Sequence, residues 1–405
     1  MKILFFCDEY PPAKTGGIGS ATKIVAEELV KRGHEIFVVG NYDYSCNLPY
    51  FSIINDVKIF RLKCFSYSKF VPNKLLKYIN YLLTRTGIFS YLSELNIKKT
   101  EDFILELIKI EKIDLIELVD FTKLIKNLKK VIEFKRFPIP TILRVHGCKS
   151  FFEYYQDKIQ PITLANDTAN FKRADVYLAV SHFISTFIIE TLNINKKKVN
   201  MIYNPIDSFF LENKSFNKIN TQNILFVGKI IETKGAFSLI KAFNIIATIY
   251  PDIKLIMIGG GELDKGMSLV NEKYVNRVEF RGYVQREQIR KEIDQCKFAV
   301  VPSYFESMGM VAIEIMARGK ALIFTNRSAG PEMIKHNFDG LLVDPTNVDD
   351  IVDKMKKLLI NDQLRISIES NARKKIKNHF SQKMIVDQLE TFYKATIHNM
   401  NRGIK

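Results

Sequence analysis

Residues 302–319 read PSYFESMGMVAIEIMARG, and this stretch decides the fold. Just before it, Phe298-Ala299-Val300-Val301 is a short apolar run that reads as a buried strand. Met310 to Ala317 is apolar on every side, the pattern of a helix buried all round. Glu314 alone interrupts it, and a carboxylate there is costly unless something hydrogen-bonds it. A second carboxylate, Glu306, falls in the strand-to-helix turn. Two acidic residues at the carboxyl end of a strand and inside the next helix point to a polar ligand, because open α/β sheets bind ligands in that crevice. The plain alternative is a solvated loop glutamate and a core glutamate paired to an arginine.

Outward from this stretch, the chain shows two similar openings. Ile3-Leu4-Phe5-Phe6 is followed by a glycine-bearing loop, Thr15-Gly16-Gly17-Ile18-Gly19, and a helical pattern from Ala21 to Arg32 that Gly33 caps. His34 to Gly40 reads as the next strand. Asn223 to Gly228 opens the second half, with a loop to Lys234-Gly235, a helix from Ala236 to Tyr250 that Pro251 ends, and a strand at Lys254 to Gly261. Each is a strand–loop–helix–strand unit. Further strands are expected at Leu115–Leu118, Ile139–Val145, Val176–Val180, Val199–Ile202, Val278–Phe280 and Leu322–Thr325. Alternation of this kind implies parallel, doubly wound sheets. The boundary falls near Tyr203-Asn204-Pro205-Ile206-Asp207, and Ser208 to Thr221 reads as a polar linker. A last helical pattern runs from Met384 to Ile397.

The 405 residues suit two domains, each able to bury a core, and 47% hydrophobic residues is the composition of a soluble globular protein. No run of eighteen apolar residues is present, which argues against a spanning helix. Ile3 to Cys7 is cut by Asp8-Glu9, too short for a secretory signal. Cys7, Cys46, Cys64, Cys148 and Cys296 are scattered with no C-x-x-C, so they read as reduced cytosolic thiols. The net charge is +16. From Lys58 to Lys99, nine basic residues stand against Glu94 alone, interleaved with aromatic and leucine side chains. That mixture fits an anionic membrane face or an ordinary solvated surface. No nucleic-acid motif accompanies it, so no nucleic-acid partner is expected.

Glu306 and Glu314, with Pro302-Ser303 before and Met316-Ala317-x-Gly319 after, resemble the E-x7-E signature of retaining glycosyltransferases of family 4, which have the GT-B fold. The resemblance covers nearly the whole second half. In the first half it is confined to Gly16-Gly17, Ile116-Glu117, Arg144-Val145-His146-Gly147 and Val180-Ser181. It implies an α/β protein of two Rossmann-like, doubly wound domains facing across a cleft. Residues 1–205 would form the acceptor-binding domain and 206–380 the nucleotide-sugar-binding domain. Residues 381–405 would form a helix crossing back to the first domain.

The resemblance also assigns roles. Glu306 approaches the donor sugar's hydroxyls, and Glu314 holds the ribose. Ser307, Met308, Gly309 and Met310 between them belong to the donor-binding set. Gly228-Lys229 and Lys234-Gly235 are similar to the family's G-[RK]-x4-K-G, whose two cations bind the diphosphate. Positioned cations stabilise the charge that gathers on a diphosphate leaving group. The usual residue at Lys229 is arginine, and lysine lacks its bidentate fork. The Gly16-Gly17 loop closes over the donor phosphates through its backbone N–H groups. His146, at a strand end, faces the donor sugar. Tyr283 and Val284 lie in a turn that meets the base, and Ala329-Gly330-Pro331-Glu332 resembles a loop behind the site.

No carboxylate or histidine stands out as a covalent nucleophile, and the family is thought to react by front-side displacement. No metal and no cofactor are implied, the nucleotide-sugar being a substrate. The implied partners are a nucleotide-diphosphate sugar and a glycan or lipid-linked acceptor of bacterial surface polysaccharide synthesis. The implied place is the cytoplasm, at the inner face of the cell membrane if residues 58–99 bind it. Two rival readings fit less well. A Rossmann oxidoreductase requires G-x-G-x-x-G directly after the first strand and an acidic residue ending the second. Here Gly17-Ile18-Gly19-Ser20-Ala21-Thr22 comes late and lacks the third glycine, and the second strand ends at Gly40-Asn41. A non-enzymatic basic membrane binder leaves Glu314 unexplained.

Overall fold

The computed structural model describes residues 1–13, 16–64, 86–120, 124–125, 128–212 and 221–403. The chain forms two compact units: Met1–Pro205 with Ile385–Lys405, and Ile206–Met384.

In the first unit the strands are β1 Lys2–Phe6, β2 Glu35–Asp43, β3 Phe51–Ile54, β4 Val57–Cys64, β5 Leu115–Val119, β6 Thr141–Val145, β7 Val176–Ala179 and β8 Val199–Met201. They lie in the order β3-β4-β2-β1-β5-β6-β7-β8, parallel except where β3 runs antiparallel to β4. β5 and β6 are buried along their whole length. Burial on both faces fits their mostly apolar sequences, which only Glu117 in β5 and Thr141 and Arg144 in β6 interrupt. The winding reverses between β1 and β5, which puts a ligand crevice at their carboxyl ends.

Two sequence expectations change here. The first helix begins at Gly17, four residues before the expected Ala21, and ends at Lys31. Its Gly19 serves close packing: a Cβ there would lie 2.0 Å from the carbonyl oxygen of Glu9. The second change concerns Lys58 to Lys99, whose start is β4 and not a solvated surface. Arg61 is only 1% exposed. Its Nη1 donates to Ser52 Oγ (2.7 Å) and Pro49 O (3.2 Å). Lys58 pairs with Glu35, and Lys63 donates to the Cys46 carbonyl. Residues 65–85, the middle of that segment, lie outside the described residues. Beyond them, helix Ile88–Glu111 exposes Ile88, Tyr91, Leu95, Lys98 and Lys99.

In the second unit the strands are β9 Asn223–Val227, β10 Lys254–Ile258, β11 Val278–Phe280, β12 Phe298–Val301, β13 Leu322–Thr325 and β14 Leu341–Val343. Their order is β11-β10-β9-β12-β13-β14, all parallel. This is the doubly wound order in which two halves diverge from a central pair, here β9 and β12. Ile224, Phe226, Phe243, Met257, Val300, Ile323 and Leu341 belong to one buried core. The expected linker is partly structured: Ser208–Leu211 is a helical turn. Phe210 is fully buried, and its carbonyl accepts from Arg318 Nη1 at 3.1 Å. Residues 213–220 of the linker lie outside the described residues.

The last helix, Gln382–Asn401, passes from the second unit into the first. In the first unit it buries Ile385, Val386, Leu389 and Tyr393. Tyr393 Oη donates to buried Glu117 Oε2 at 2.5 Å.

Candidate functional site

The loops after β9 and β12 leave the two strands at which the second sheet changes direction, and three contacts bind them together. Lys234 Nζ donates to Glu306 Oε1 at 2.7 Å. Tyr304 N–H donates to the Thr233 carbonyl at 2.9 Å. Gly235 packs directly on Pro302: a Cβ there would lie 1.9 Å from the Pro302 oxygen, and its φ of +67° is left-handed. Only glycine meets both demands. The Lys234-Gly235 and Glu306 motifs, 72 residues apart, thus form one patch at the sheet's switch point. Lys229 is exposed in the same loop and has no ion-pair partner among the described residues.

Glu306 is held from behind by the loop that the sequence marked at 329–332. Glu306 N–H donates to Ser328 Oγ (2.9 Å), and its carbonyl accepts from Ala329 N–H (3.2 Å). Met308 is buried, and Gly309, with φ +87°, caps helix Met310–Ala317, leaving Ser307 and Met310 half-buried at its mouth. The turn at 281–284 is tied to the neighbouring strand end by Gly259 N–H donating to the Gly282 carbonyl (2.8 Å). Tyr283 is exposed there, Val284 is half-buried, and Gly228 directly follows β9 close by, its N–H donating to Ile258 O at 2.9 Å.

Glu314 is buried, as its apolar helix implies. Burial lifts its carboxyl to about 7, Asp207 adding to the lift and Arg286 opposing it. Arg286 Nη2 stands 3.5 Å from Glu314 Oε1, while Arg286 Nη1 bonds Asp207 Oδ2 at 3.0 Å. The arginine partner expected of a core glutamate is therefore present, but its shorter bond goes elsewhere. Nothing in the sequence singles out Arg286 or Asp207. Arg286 lies 28 residues from Glu314, and no local spacing signals the pair.

In the first unit, Gly16 is the N-cap of helix Gly17–Lys31, and its N–H donates to Glu9 Oε2 at 3.0 Å. The loop amide expected to meet a phosphate is thus taken by the chain's own carboxylate. His146 ends β6. Its backbone N–H and that of Gly147 both donate to the Asp120 carboxylate, at 3.0 and 2.9 Å. Asp120, just past β5, which the sequence reading did not single out, thus holds the backbone of this candidate residue; burial lifts its carboxyl to about 7. Burial, helped by Arg144, holds the His146 imidazole down at about 3, so it is neutral. Its Nε2 has no hydrogen-bond partner among the described residues.

Known proteins share this architecture. Two family models match end to end: "Glycosyltransferase Family 4" over residues 15–208 and "Glycosyl transferases group 1" over residues 209–375. An uncharacterized glycosyltransferase of Methanocaldococcus jannaschii is 28% identical over 99% of this chain and 100% of its own length. The capsular polysaccharide biosynthesis glycosyltransferase CapM of Staphylococcus aureus is 27% identical, over 62% of this chain and 66% of its own. Among solved structures, HepE of Anabaena, crystallised with UDP and glucose, superposes with a TM-score of 0.69 at 17% identity. That match covers 97% of this chain and 99% of HepE. With both units matched in sequence and the GT-B fold in place, the chain belongs to the glycosyltransferases of group 1 and family 4.

Proposed function

We propose that the chain is a retaining hexosyltransferase that moves a sugar from a nucleotide-diphosphate donor to a glycan or lipid-linked acceptor in bacterial surface polysaccharide synthesis. One observation carries the reading: Lys234 and Glu306 meet at the switch point of the second sheet, at 2.7 Å. A cation and a sugar-hydroxyl acceptor side by side suit the junction between a diphosphate and its sugar. Lys229, Lys234 and the backbone N–H groups at Ser307 to Met310 would hold the diphosphate and draw charge onto it as the glycosidic bond breaks. Glu306 would orient the sugar. Glu314 would take the ribose hydroxyls, and the turn at Tyr283-Val284 would meet the base. With the lysines neutralising the diphosphate, the reaction needs no metal, and the nucleotide-sugar is consumed as substrate. His146, neutral, would hydrogen-bond the sugar through Nε2 and not act as a base, and Gly16-Gly17 would exchange Glu9 for phosphate.

HepE with UDP and glucose supports the donor class, and CapM supports the polysaccharide assignment. No helix among the described residues is long and apolar enough to cross a membrane. A lipid-linked acceptor would be met at the inner membrane face through the exposed side of helix Ile88–Glu111. Turnover of a panel of UDP- and GDP-sugars, with released nucleotide measured and the product's anomeric configuration read by NMR, tests the proposal. Inversion at the anomeric carbon overturns the retaining mechanism, and no turnover with any donor overturns the reading.

A further inference from the structure

We infer that Arg286 is a positioning residue of the donor site, shared between Asp207 and Glu314, and that this sharing sets the charge Glu314 presents to a nucleoside's vicinal hydroxyls. The inference rests on the reading of Glu314 as the ribose ligand. Arg286 opens helix Arg286–Gln295, and its guanidinium lies 5.3 Å from the Phe210 ring centroid. Asp207 is held in turn: its Oδ1 caps the turn Ser208–Leu211 by accepting from Phe209 N–H at 3.0 Å. Arg286 therefore bridges two carboxylates, at 3.0 Å to Asp207 and 3.5 Å to Glu314. The longer contact is at the edge of hydrogen bonding, so Glu314 is stripped of water with little in return.

Other charges near helix Met310–Ala317 face elsewhere. Strand β13 brings none. In helix Asp362–His379, Glu369 pairs with Arg365, and Arg373 lies against Gly319 at the far end of the helix, near Arg318 and Asp294. The balance at Glu314 is thus one cation between two carboxylates. A diol offers two O–H donors, and a carboxylate presents both oxygens purely as acceptors only when ionised. Asp207 draws Arg286 away from Glu314 and favours the protonated, weaker ligand; a closer Arg286 would favour the ionised one.

Calorimetry of UDP and GDP binding between about pH 6 and pH 9 tests this on the full chain, comparing wild type, Arg286→Met, Asp207→Asn and Glu314→Gln. Wild-type affinity should fall as the pH drops through neutrality. Arg286→Met should move the midpoint of that fall to higher pH. Binding at pH 7 should then weaken about tenfold for each pH step of one that the midpoint climbs, and recover near pH 9. Asp207→Asn, which keeps an N-cap residue, should move the midpoint down and strengthen binding near pH 6. The nucleotide's own phosphate titration is common to all proteins and divides out of the ratios. If Arg286→Met weakens binding equally at every pH, or both variants move the midpoint the same way, the inference is overturned while the ribose reading stands. If folded Glu314→Gln binds like wild type, the ribose reading falls and the inference with it. Should Arg286→Met not fold, the downward movement in Asp207→Asn decides alone.

Discussion

Glu314 is held in its helix against its own solvation. Its carboxyl is lifted from 4.5 to about 7, so the native state binds that proton more tightly than the unfolded chain does. The resulting stability is present below about pH 4.5 and lost as the pH rises through 7. Glutamine has the same shape and no proton to lose. Glu314→Gln should therefore gain stability over wild type as the pH rises from 5 to 8, by up to about 3 kcal/mol, while losing nucleotide affinity. Urea melts at the two pH values read this; parallel wild-type and variant curves would mean that Glu314 is ionised throughout. The lysines test the chemistry. Lys229→Ala and Lys234→Ala should each lower kcat more than they weaken binding of the bare nucleoside, because leaving-group charge grows in the transition state. A variant with wild-type kcat and only a raised KM would make that lysine a uniform binder. Glu306, Glu314 and Lys234 could be picked out locally, from a carboxylate in an apolar helix and a lysine beside a glycine. Arg286, Asp207 and Asp120 could not, since their meaning depends on partners distant in sequence.

At the scale of elements, the strand Phe298–Val301 and the helix Met310–Ala317 were legible because burial on all sides writes an uninterrupted apolar pattern. Strand β4 was not legible. Its alternation of buried and half-buried residues is there, but Arg61 occupies a buried position and hides it. The start of the first helix was also hidden, because a glycine placed for close packing, as Gly19 is, looks the same in sequence as a glycine placed for a turn. The last helix anchors to the first unit through groups that only tertiary structure brings together. Arg32 Nη1 meets Asp387 (2.7 Å) and Glu390 (3.1 Å) near the surface. Tyr393 Oη reaches Glu117, whose other oxygen is 3.4 Å from Arg144. Tyr393→Phe would leave a buried carboxylate short of a donor and should cost about 1–3 kcal/mol. Chemical denaturation of the full chain gives the figure; a loss below a few tenths of a kcal/mol would mean that water replaces the hydroxyl. Gly235→Ala should be more damaging still, for it combines the left-handed φ with a Cβ 1.9 Å from the Pro302 oxygen.

At the scale of the whole molecule, the +16 net charge asks where the protein would rest if its acceptor is a lipid. The sequence count over Lys58 to Lys99 overstates the charge on offer. Arg61 is buried, Lys58 is paired with Glu35, and Lys63 is bonded to a carbonyl, so these three face the protein. Lys98 pairs with Glu94 yet stays 56% exposed, and Lys99 is exposed beside it. The same helix exposes Ile88, Tyr91 and Leu95, at a spacing that lines one face. A few lysines beside apolar side chains match an anionic bilayer surface, each basic residue adding about 1 kcal/mol. Such binding is reversible and screened by salt, with a Debye length of about 10 Å at 0.1 M. The protein should therefore co-sediment with anionic liposomes at low salt, release as salt rises, and ignore neutral liposomes. Lys98→Glu combined with Lys99→Glu should weaken the binding at least tenfold, whereas Lys58→Gln should leave it unchanged because that lysine is already engaged by Glu35. If wild type stays in the supernatant with anionic liposomes at low salt, the membrane proposal fails, and the acceptor is to be sought among soluble glycans.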